Sequence, residues 1–356
     1  MSKIITTIGP SSIERATLID LKKAGATDFR VNLSHSNSDL LEKYFKEIMQ
    51  CGLQPAIDTQ GPQLRTTITP RDSYFHTDQQ FYLSASTTQL TPVSSTVQIN
   101  HSEFFKFVQL GDLVRIDFDG LIGRITEIDE AQNIARCVTT SSGPALPNKA
   151  IDIVGRSIEL ESLTDFDVYA IRNYAMHSSS IYISFTQSAK DIRRVRELLD
   201  ELNGDVKPLI VAKIESRIGL ANLEEIINDA DAILIDRGDL SREISISRIP
   251  IACRAILNSA KRLSTPCYIA TDILSSMIKN PLPTRSEISD LYSLYLNGAS
   301  GIVLAAEVAI GNYPIECVQV VQYMYKLYLA EKNGTHWFLP DDHLNKNLSE
   351  SLSSWM

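Results

Sequence analysis

Short apolar runs and amphipathic stretches alternate along the chain. The runs are IITTIG (4–9), DFRVNLS (28–34), PAIDTQ (55–60), SIYISF (180–185), PLIVAKIE (208–215), AILIDRG (232–238), CYIAT (267–271) and GIVLAA (301–306). Most are β-branched and nearly continuous, the pattern of strands covered on both faces. Between them, stretches such as ATLIDLKKAG and DIRRVRELLDEL carry apolar residues three and four apart, which predicts helices. Capping-box spacing at Ser11/Glu14, Ser188/Asp191 and Thr284/Glu287 predicts helix starts. Eight strand–helix rounds predict an α/β protein, a closed (β/α)8 TIM barrel, with an open doubly wound sheet as the rival architecture.

One stretch breaks the rhythm. Between Arg65 and about Arg156 the strand–helix alternation stops, and short alternating segments follow: LVRIDF (113–118), GRITEI (123–128) and IARCV (134–138), with a turn signal at Asp119-Gly120. This predicts a small all-β domain, residues 67–155, inserted after the third strand. The barrel then comprises 1–66 and 156–330. A tail, 331–356, carries Trp337 and Trp355, which could dock on the barrel or on a neighbouring subunit, while its last residues are expected to fray.

Composition adds boundaries to this picture. With 356 residues, 44% of them hydrophobic and 22% charged, the chain is globular and of a size for two domains. It holds no run of about 18 apolar residues, so no membrane span is expected. The start MSKIITTIGP lacks the apolar core of a signal peptide, and five scattered cysteines without a CxxC pair fit free thiols; a cytoplasmic protein is expected. A net charge of −9 argues against nucleic acid as a partner, though not against a basic pocket for a small anion.

Polar residues at the C-terminal ends of barrel strands are where active sites form. The second strand ends in Arg30, Asn32 and Ser34, spaced by two so that all three should share a face suited to an anion or a bound cation. The alternative is a merely exposed strand. The third ends in Asp58-Thr59-Gln60-Gly61-Pro62, with Arg65 beyond. Lys213 and Glu215 share a face of the fifth strand, and the sixth ends in Asp236-Arg237-Gly238-Asp239. Two carboxylates on adjoining strands suit Mg²⁺ when a ligand supplies its remaining oxygens, unless Glu215 simply pairs with Arg237. Thr271 and Glu307 end strands seven and eight. Residues alone thus predict a Mg²⁺-dependent site for a small acid or phosphate, with a buried lysine.

The segments TTIGPSS (6–12), FRVNLSH (29–35), IDTQGPQLRT (57–66), AKIES (212–216), DRGDL (236–240), ATDILSSM (270–277), PTRSE (283–287) and GNYP (311–314) resemble those of pyruvate kinases, in that order and with the β-domain in the same place. The resemblance covers residues 1–330. It implies transfer of a phosphoryl group between phosphoenolpyruvate and ADP, with pyruvate and ATP as products. By position, Glu215 and Asp239 would hold Mg²⁺ (or Mn²⁺), Arg30 the phosphoryl group, and Lys213 the charge on it and on the enolate. Thr271 would stand near the carbon that is protonated and, with the Gly238 and Asp239 amides, hold the carboxylate. Asn32, Ser34, Asp58 and Thr59 match a K⁺ site; Pro10, His35, Arg65 and Lys149 match the nucleotide side. The inserted domain would be a lid that excludes water, with Asp119-Gly120 near the cleft. No domain of the kind that carries the family's allosteric site is expected after the barrel, so sugar-phosphate feedback is not expected, and any homo-oligomer would use barrel faces or the tail.

The departures are as informative. Gln60 stands for a lysine, Gln187 for an arginine, Asp236 for a small residue, Asp272 for a glutamine, Ala305-Ala306-Glu307-Val308 for Ser-Gly-Glu-Thr, and Ile310 for a lysine. Three lost cations and one gained carboxylate near the metal should weaken anion binding, at roughly 1.5–3 kcal/mol per charge-assisted contact. Three functions stay open: a divergent kinase of phosphoenolpyruvate or a related enol phosphate, a Mg²⁺-dependent keto-acid aldolase or lyase, and a catalytically silent homologue.

Overall fold

A computed structural model describes residues 2–61, 63–85, 95–117, 120–156, 161–202 and 207–334. The expected Asp119 turn residue and the tail tryptophans Trp337 and Trp355 lie outside them. The chain divides into two compact units, one from Met1–Gly61 with Ser162–Met356, the other Pro62–Glu161.

In the first unit, β1 (Lys3–Thr7), β2 (Asp28–Asn32), β3 (Pro55–Asp58), β4 (Ser180–Ile183), β5 (Leu209–Ile214), β6 (Ala232–Asp236), β7 (Cys267–Ala270) and β8 (Gly301–Leu304) close into a parallel barrel, β1 pairing with β8. Closure excludes the open doubly wound sheet. Burial follows the two-sided cover that the apolar runs imply. Residues such as Ile4, Val31, Ile57 and Ile233 pack outward against helices, whereas Ile5, Ala56, Tyr182, Val211, Leu234 and Val303 form a separate cluster that plugs the barrel. Alternation along each strand thus fills the interior as a packed core.

Helices start where the sequence offers caps, with one exception. Ser188/Asp191 and Thr284/Glu287 form capping boxes, as does Thr164/Asp167, which the sequence reading missed. The Ser11/Glu14 box does not form: the helix Arg15–Ala24 starts at Glu14 without a side-chain cap. Ser11 instead donates its amide to Ala309 O at 3.0 Å, because the loop after β1 is stitched to the segment after β8.

Among its described residues the second unit is mainly β, with a six-stranded sheet, a two-stranded sheet and one helical turn, Phe104–Phe107. Leu113–Ile116, Leu121–Asp129 and Ile134–Ser141 run as an antiparallel meander. Phe81, Leu83, Val114, Ile125 and Cys137 belong to a core of its own. Among the described residues no helix is long and apolar enough to cross a membrane.

Candidate active site

The inward register that plugs the barrel changes character near the strand ends. Above the apolar plug it brings Thr7, Arg30, Asp58, Ser184, Lys213, Glu215 and Asp236. Arg30 is 3% exposed, Asp58 1%, Lys213 5% and Glu215 0%, so these charges are held almost wholly away from water. Such groups persist only when paired. Arg30 donates to Thr7 Oγ1 from Nε (3.1 Å) and Nη2 (2.7 Å), and its Nη1 lies 3.2 Å from Asp58 Oδ2. The guanidinium also stands over the ring of Tyr182, 5.7 Å from its centroid.

Lys213 is the hub. Its Nζ lies 2.8 Å from Glu215 Oε1, 3.2 Å from Asp58 Oδ1 and 3.8 Å from Asp236 Oδ2, and donates to Ser184 Oγ at 3.0 Å. Burial alone would lower its pKa, but Asp58, Glu215 and Asp236 together outweigh burial and raise it, so the ammonium keeps its proton. Burial pushes the Glu215 carboxyl up; Asp236 and Asp239 add to that push, and Lys213 opposes it.

Glu215, Asp236 and Asp239 each offer an oxygen, and these atoms lie within 4.8 Å of one another. Phe185 N donates to Glu215 Oε2 at 2.5 Å, and the buried Oε1 is paired with the Lys213 ammonium at 2.8 Å. Four carboxyl groups (Asp58, Glu215, Asp236, Asp239) stand with two basic side chains (Arg30, Lys213), an excess of two acidic groups. An all-oxygen set with that excess fits a divalent ion such as Mg²⁺ or Mn²⁺. The pairing of Glu215 with Arg237, the other possibility in the sequence, is not what Arg237 does. It binds Asp290 Oδ2 at 2.6 Å and donates to the carbonyls of Thr271 (2.7 and 3.0 Å) and Asp272 (2.8 Å).

Those carbonyls belong to a strained turn. Thr271 (φ 71°) and Asp272 (φ 55°) are both left-handed, a conformation that a β-branched residue rarely adopts. The turn aims the Thr271 hydroxyl at Asp236 Oδ1, 2.5 Å away, and the Gly238 amide donates to the same oxygen at 3.2 Å. A side chain at 238 would bring its Cβ to 2.8 Å from Thr271 Cγ2, so glycine is required by the close approach.

Other expected residues fare differently. Ser34 does not continue the strand: β2 ends at Asn32, whose Oδ1 accepts from Ser34 N at 2.8 Å and starts a 3-10 turn, Leu33–His35. The face shared by Arg30, Asn32 and Ser34 therefore stops one residue early. Asn32 and Asp58 are partners in the β2–β3 register, and Asp58 Oδ1 faces the Lys213 ammonium at 3.2 Å. With Thr59 next in the chain, these oxygens are of the kind a monovalent cation takes. Thr59 Oγ1 already accepts from Ser184 N at 2.9 Å. Pro10 and His35 are exposed in the first unit. Arg65 and Lys149 belong to the second, where Arg65 Nη1 donates to Asn148 O at 3.1 Å and Lys149 pairs with Asp117 Oδ2 at 2.7 Å. Gln60, the lysine departure, bridges Leu33 O and Thr164 Oγ1 at 3.3 and 3.2 Å. Glu307 is structural: it is buried and accepts from Leu274 N and Ala305 N at 3.2 and 2.9 Å.

Sequence reading missed Thr7, Ser184 and the clamp by Arg237. All three act through contacts distant in sequence, and only the inward position of Thr7 and Ser184 was a signal.

Comparison with known proteins gives the same outline. A family model described as "Pyruvate kinase, barrel domain" matches residues 1–318. Plastidial pyruvate kinase 3 of Arabidopsis thaliana is 29% identical over 90% of this chain and 56% of its own length. A pyruvate kinase of Thermotoga maritima is 28% identical over 99% and 75%, and one of Borreliella burgdorferi 32% identical over 92% and 68%. A crystal structure of a pyruvate kinase from Cryptosporidium parvum superposes with a TM-score of 0.82, at 26% identity, over 94% of this chain and 72% of that one. The chain spans little more than half the length of its plant relatives.

Proposed function

The chain belongs to the pyruvate kinase family, and we propose that it transfers a phosphoryl group between phosphoenolpyruvate, or a related enol phosphate, and ADP, with a divalent ion. The observation that carries this reading is the buried Lys213 ammonium held 2.8 Å from Glu215 beside the Glu215–Asp236–Asp239 oxygen cluster.

In this reading Glu215 and Asp239 hold Mg²⁺ or Mn²⁺, with Asp236 beside them. When bound, the ion supplies positive charge against the phosphoryl and enol oxygens. The chain does the rest by positioning. Arg30 is locked by Thr7 and Asp58, so its guanidinium needs no reorganisation to meet a phosphoryl group. Lys213, whose proton is secured by three carboxylates, offers fixed positive charge to the oxygen that becomes an enolate. The Thr271 hydroxyl, aimed by its strained turn, stands at the rim where a bound water would deliver or take the carbon proton. Asn32, Ser34, Asp58 and Thr59 take K⁺. Partners are therefore phosphoenolpyruvate or pyruvate and ADP or ATP.

A coupled assay of pyruvate release from phosphoenolpyruvate and ADP, with and without Mg²⁺ and K⁺, tests the reading. Turnover is expected to require the divalent ion and to fall about 100-fold or more in Lys213→Met, as for loss of a preorganised charge donor. Pyruvate binding with no turnover would favour the keto-acid lyase reading, to which the neutral Gln60 also lends itself. Failure to bind either ligand would favour a silent homologue.

A further inference from the structure

The helix Pro314–Lys332 packs against the helices Arg15–Ala24 and Arg285–Leu296 and against β1 and β8. A helix in such an outer ring normally turns a polar, exposed face to water. Ala189–Glu201 does so with Arg193, Arg194 and Glu197. Pro314–Lys332 does not: from Pro314 to Ala330 no residue is exposed, the charged Glu316 and Lys326 included. Cys317, Val318, Val321 and Met324 form its buried face, and at about 3.6 residues per turn the opposite strip is Gln319, Tyr323, Lys326 and Ala330. The packing partners meet the buried side, where Tyr325 and Tyr328 lie 5.3 and 5.8 Å from the Tyr295 ring and Val318 and Val321 join the core. The strip is nevertheless sheltered, and burial raises the Tyr323 phenol above its ordinary value.

The residues that follow are suited to cover it. Gly334, left-handed at φ 70°, turns the chain off the helix axis. Next come Thr335-His336-Trp337-Phe338-Leu339, outside the described residues but in the same compact unit. Three to five extended residues span about 10–16 Å, the rise of about seven to eleven helical residues, so a chain doubling back from Gly334 brings Trp337, Phe338 and Leu339 level with Tyr323 to Leu327. There the Lys326 ammonium offers an indole a cation–π partner.

We infer that Trp337, Phe338 and Leu339 dock on the outward strip of this helix, at Tyr323, Lys326 and Ala330. The tether decides the occupant: a segment joined a few residues away competes at an effective concentration on the order of millimolar, above that of a second copy of the chain. The inference does not depend on which reaction the barrel carries out.

Indole fluorescence of the full chain tests it, because the two tryptophans, Trp337 and Trp355, both follow the helix. In Trp355→Phe, which leaves Trp337 as the reporter, emission should be blue-shifted and shielded from acrylamide relative to the same protein in urea. Added to that variant, Tyr323→Glu or Ala330→Glu puts a charge on the strip and should shift emission to the red and raise quenching toward the urea value. Arg194→Glu, on another helix, should change neither. Native Trp337 emission as red and as readily quenched as in urea would overturn the inference. So would shielding that survives both strip variants, or shielding lost on dilution, which would make a second copy the cover. Circular dichroism and thermal melts establish that each variant is folded. Should a strip variant fail to fold, Lys326→Glu, which reverses the charge at the centre of the strip, takes its place under the same criteria.

Discussion

Asp58 faces two cations at once. Arg30 Nη1 and Lys213 Nζ each lie 3.2 Å from one of its oxygens, and all three side chains are nearly inaccessible. In water such a pair contributes little, and the exposed Arg172–Glu201 contact should be of that kind. Inside the barrel the comparison is with leaving the Arg30 guanidinium without this counter-ion, since Lys213 keeps Glu215 at 2.8 Å, and that costs about 3–5 kcal/mol. Asp58→Asn keeps shape and volume while removing the charge, so it is expected to lower the urea midpoint by an amount of that order; Arg172→Ala should leave it nearly unchanged. Equal, small shifts in both variants would show that the buried network tolerates its own imbalance. The sequence displays Arg30, Asp58, Lys213 and Glu215 as inward polar residues, because a period of two is readable from spacing. What each one touches is not readable. Ser184 and Thr7 meet their partners across strands, and the left-handed turn at Thr271 follows from no local signal, since threonine disfavours it.

At the level of elements, strand interiors were legible and strand ends were not. All eight apolar runs became barrel strands, but each run continued past its strand, as at Asn32, where a side-chain cap turned the backbone before Ser34. A polar residue at a strand end extends the alternating pattern and breaks the ladder in the same step. Helix starts divide similarly. The spacing at Ser188 and Thr284 predicted caps that formed, while the same spacing at Ser11 lost to a backbone bond with Ala309 O. Gly9 explains why that bond wins. A Cβ there would stand 2.5 Å from Ala309 O and 2.8 Å from Ala309 Cβ, so the β1 loop and the helix Ala306–Ala309 approach more closely than side chains permit. Neither neighbour is a flexible side chain that could swing away. Gly9→Ala should therefore destabilise the protein by about 1–3 kcal/mol, the cost of overpacking. Thermal melts of this variant against Gly52→Ala, where φ is positive (70°) but nothing lies within 4 Å, separate crowding from backbone strain. No loss in Gly9→Ala would show that the two segments can part without cost.

For the whole molecule, the sequence foresaw a barrel interrupted by a β-rich unit, because a change of period from helix–strand to strand–strand is visible over tens of residues. It also foresaw free thiols, and their distribution gives each unit an internal reporter. Cys137 lies in the core of the second unit, and Cys253, Cys267 and Cys317 in that of the first, while Cys51 is half-buried. Burial raises the Cys137 thiol from its ordinary 9.0 to about 12 and raises Cys253, Cys267 and Cys317 as well. It does the same to the Tyr268 phenol, from 10.0 to about 12. A raised acid keeps its proton in the folded state after the unfolded chain has lost it. From about pH 9 upward the folded state therefore binds more protons than the unfolded one, and stability must fall as pH rises through that window. Below it, this contribution is fully present. Melting midpoints at constant ionic strength are expected to be level for these groups up to about pH 8 and to decline steadily between about pH 9 and pH 11. Aromatic-disulfide titration at pH 8 should find one fast thiol, Cys51, with the other four reacting only as fast as their units open. Protection of Cys137 that is lost before that of Cys267 would mean that the inserted unit opens independently of the barrel. A midpoint that stays flat to about pH 11, or rapid reaction of all five thiols in the native protein, would mean that these cores are open to water in a way the packing around Phe81, Ile125 and Ile256 does not allow.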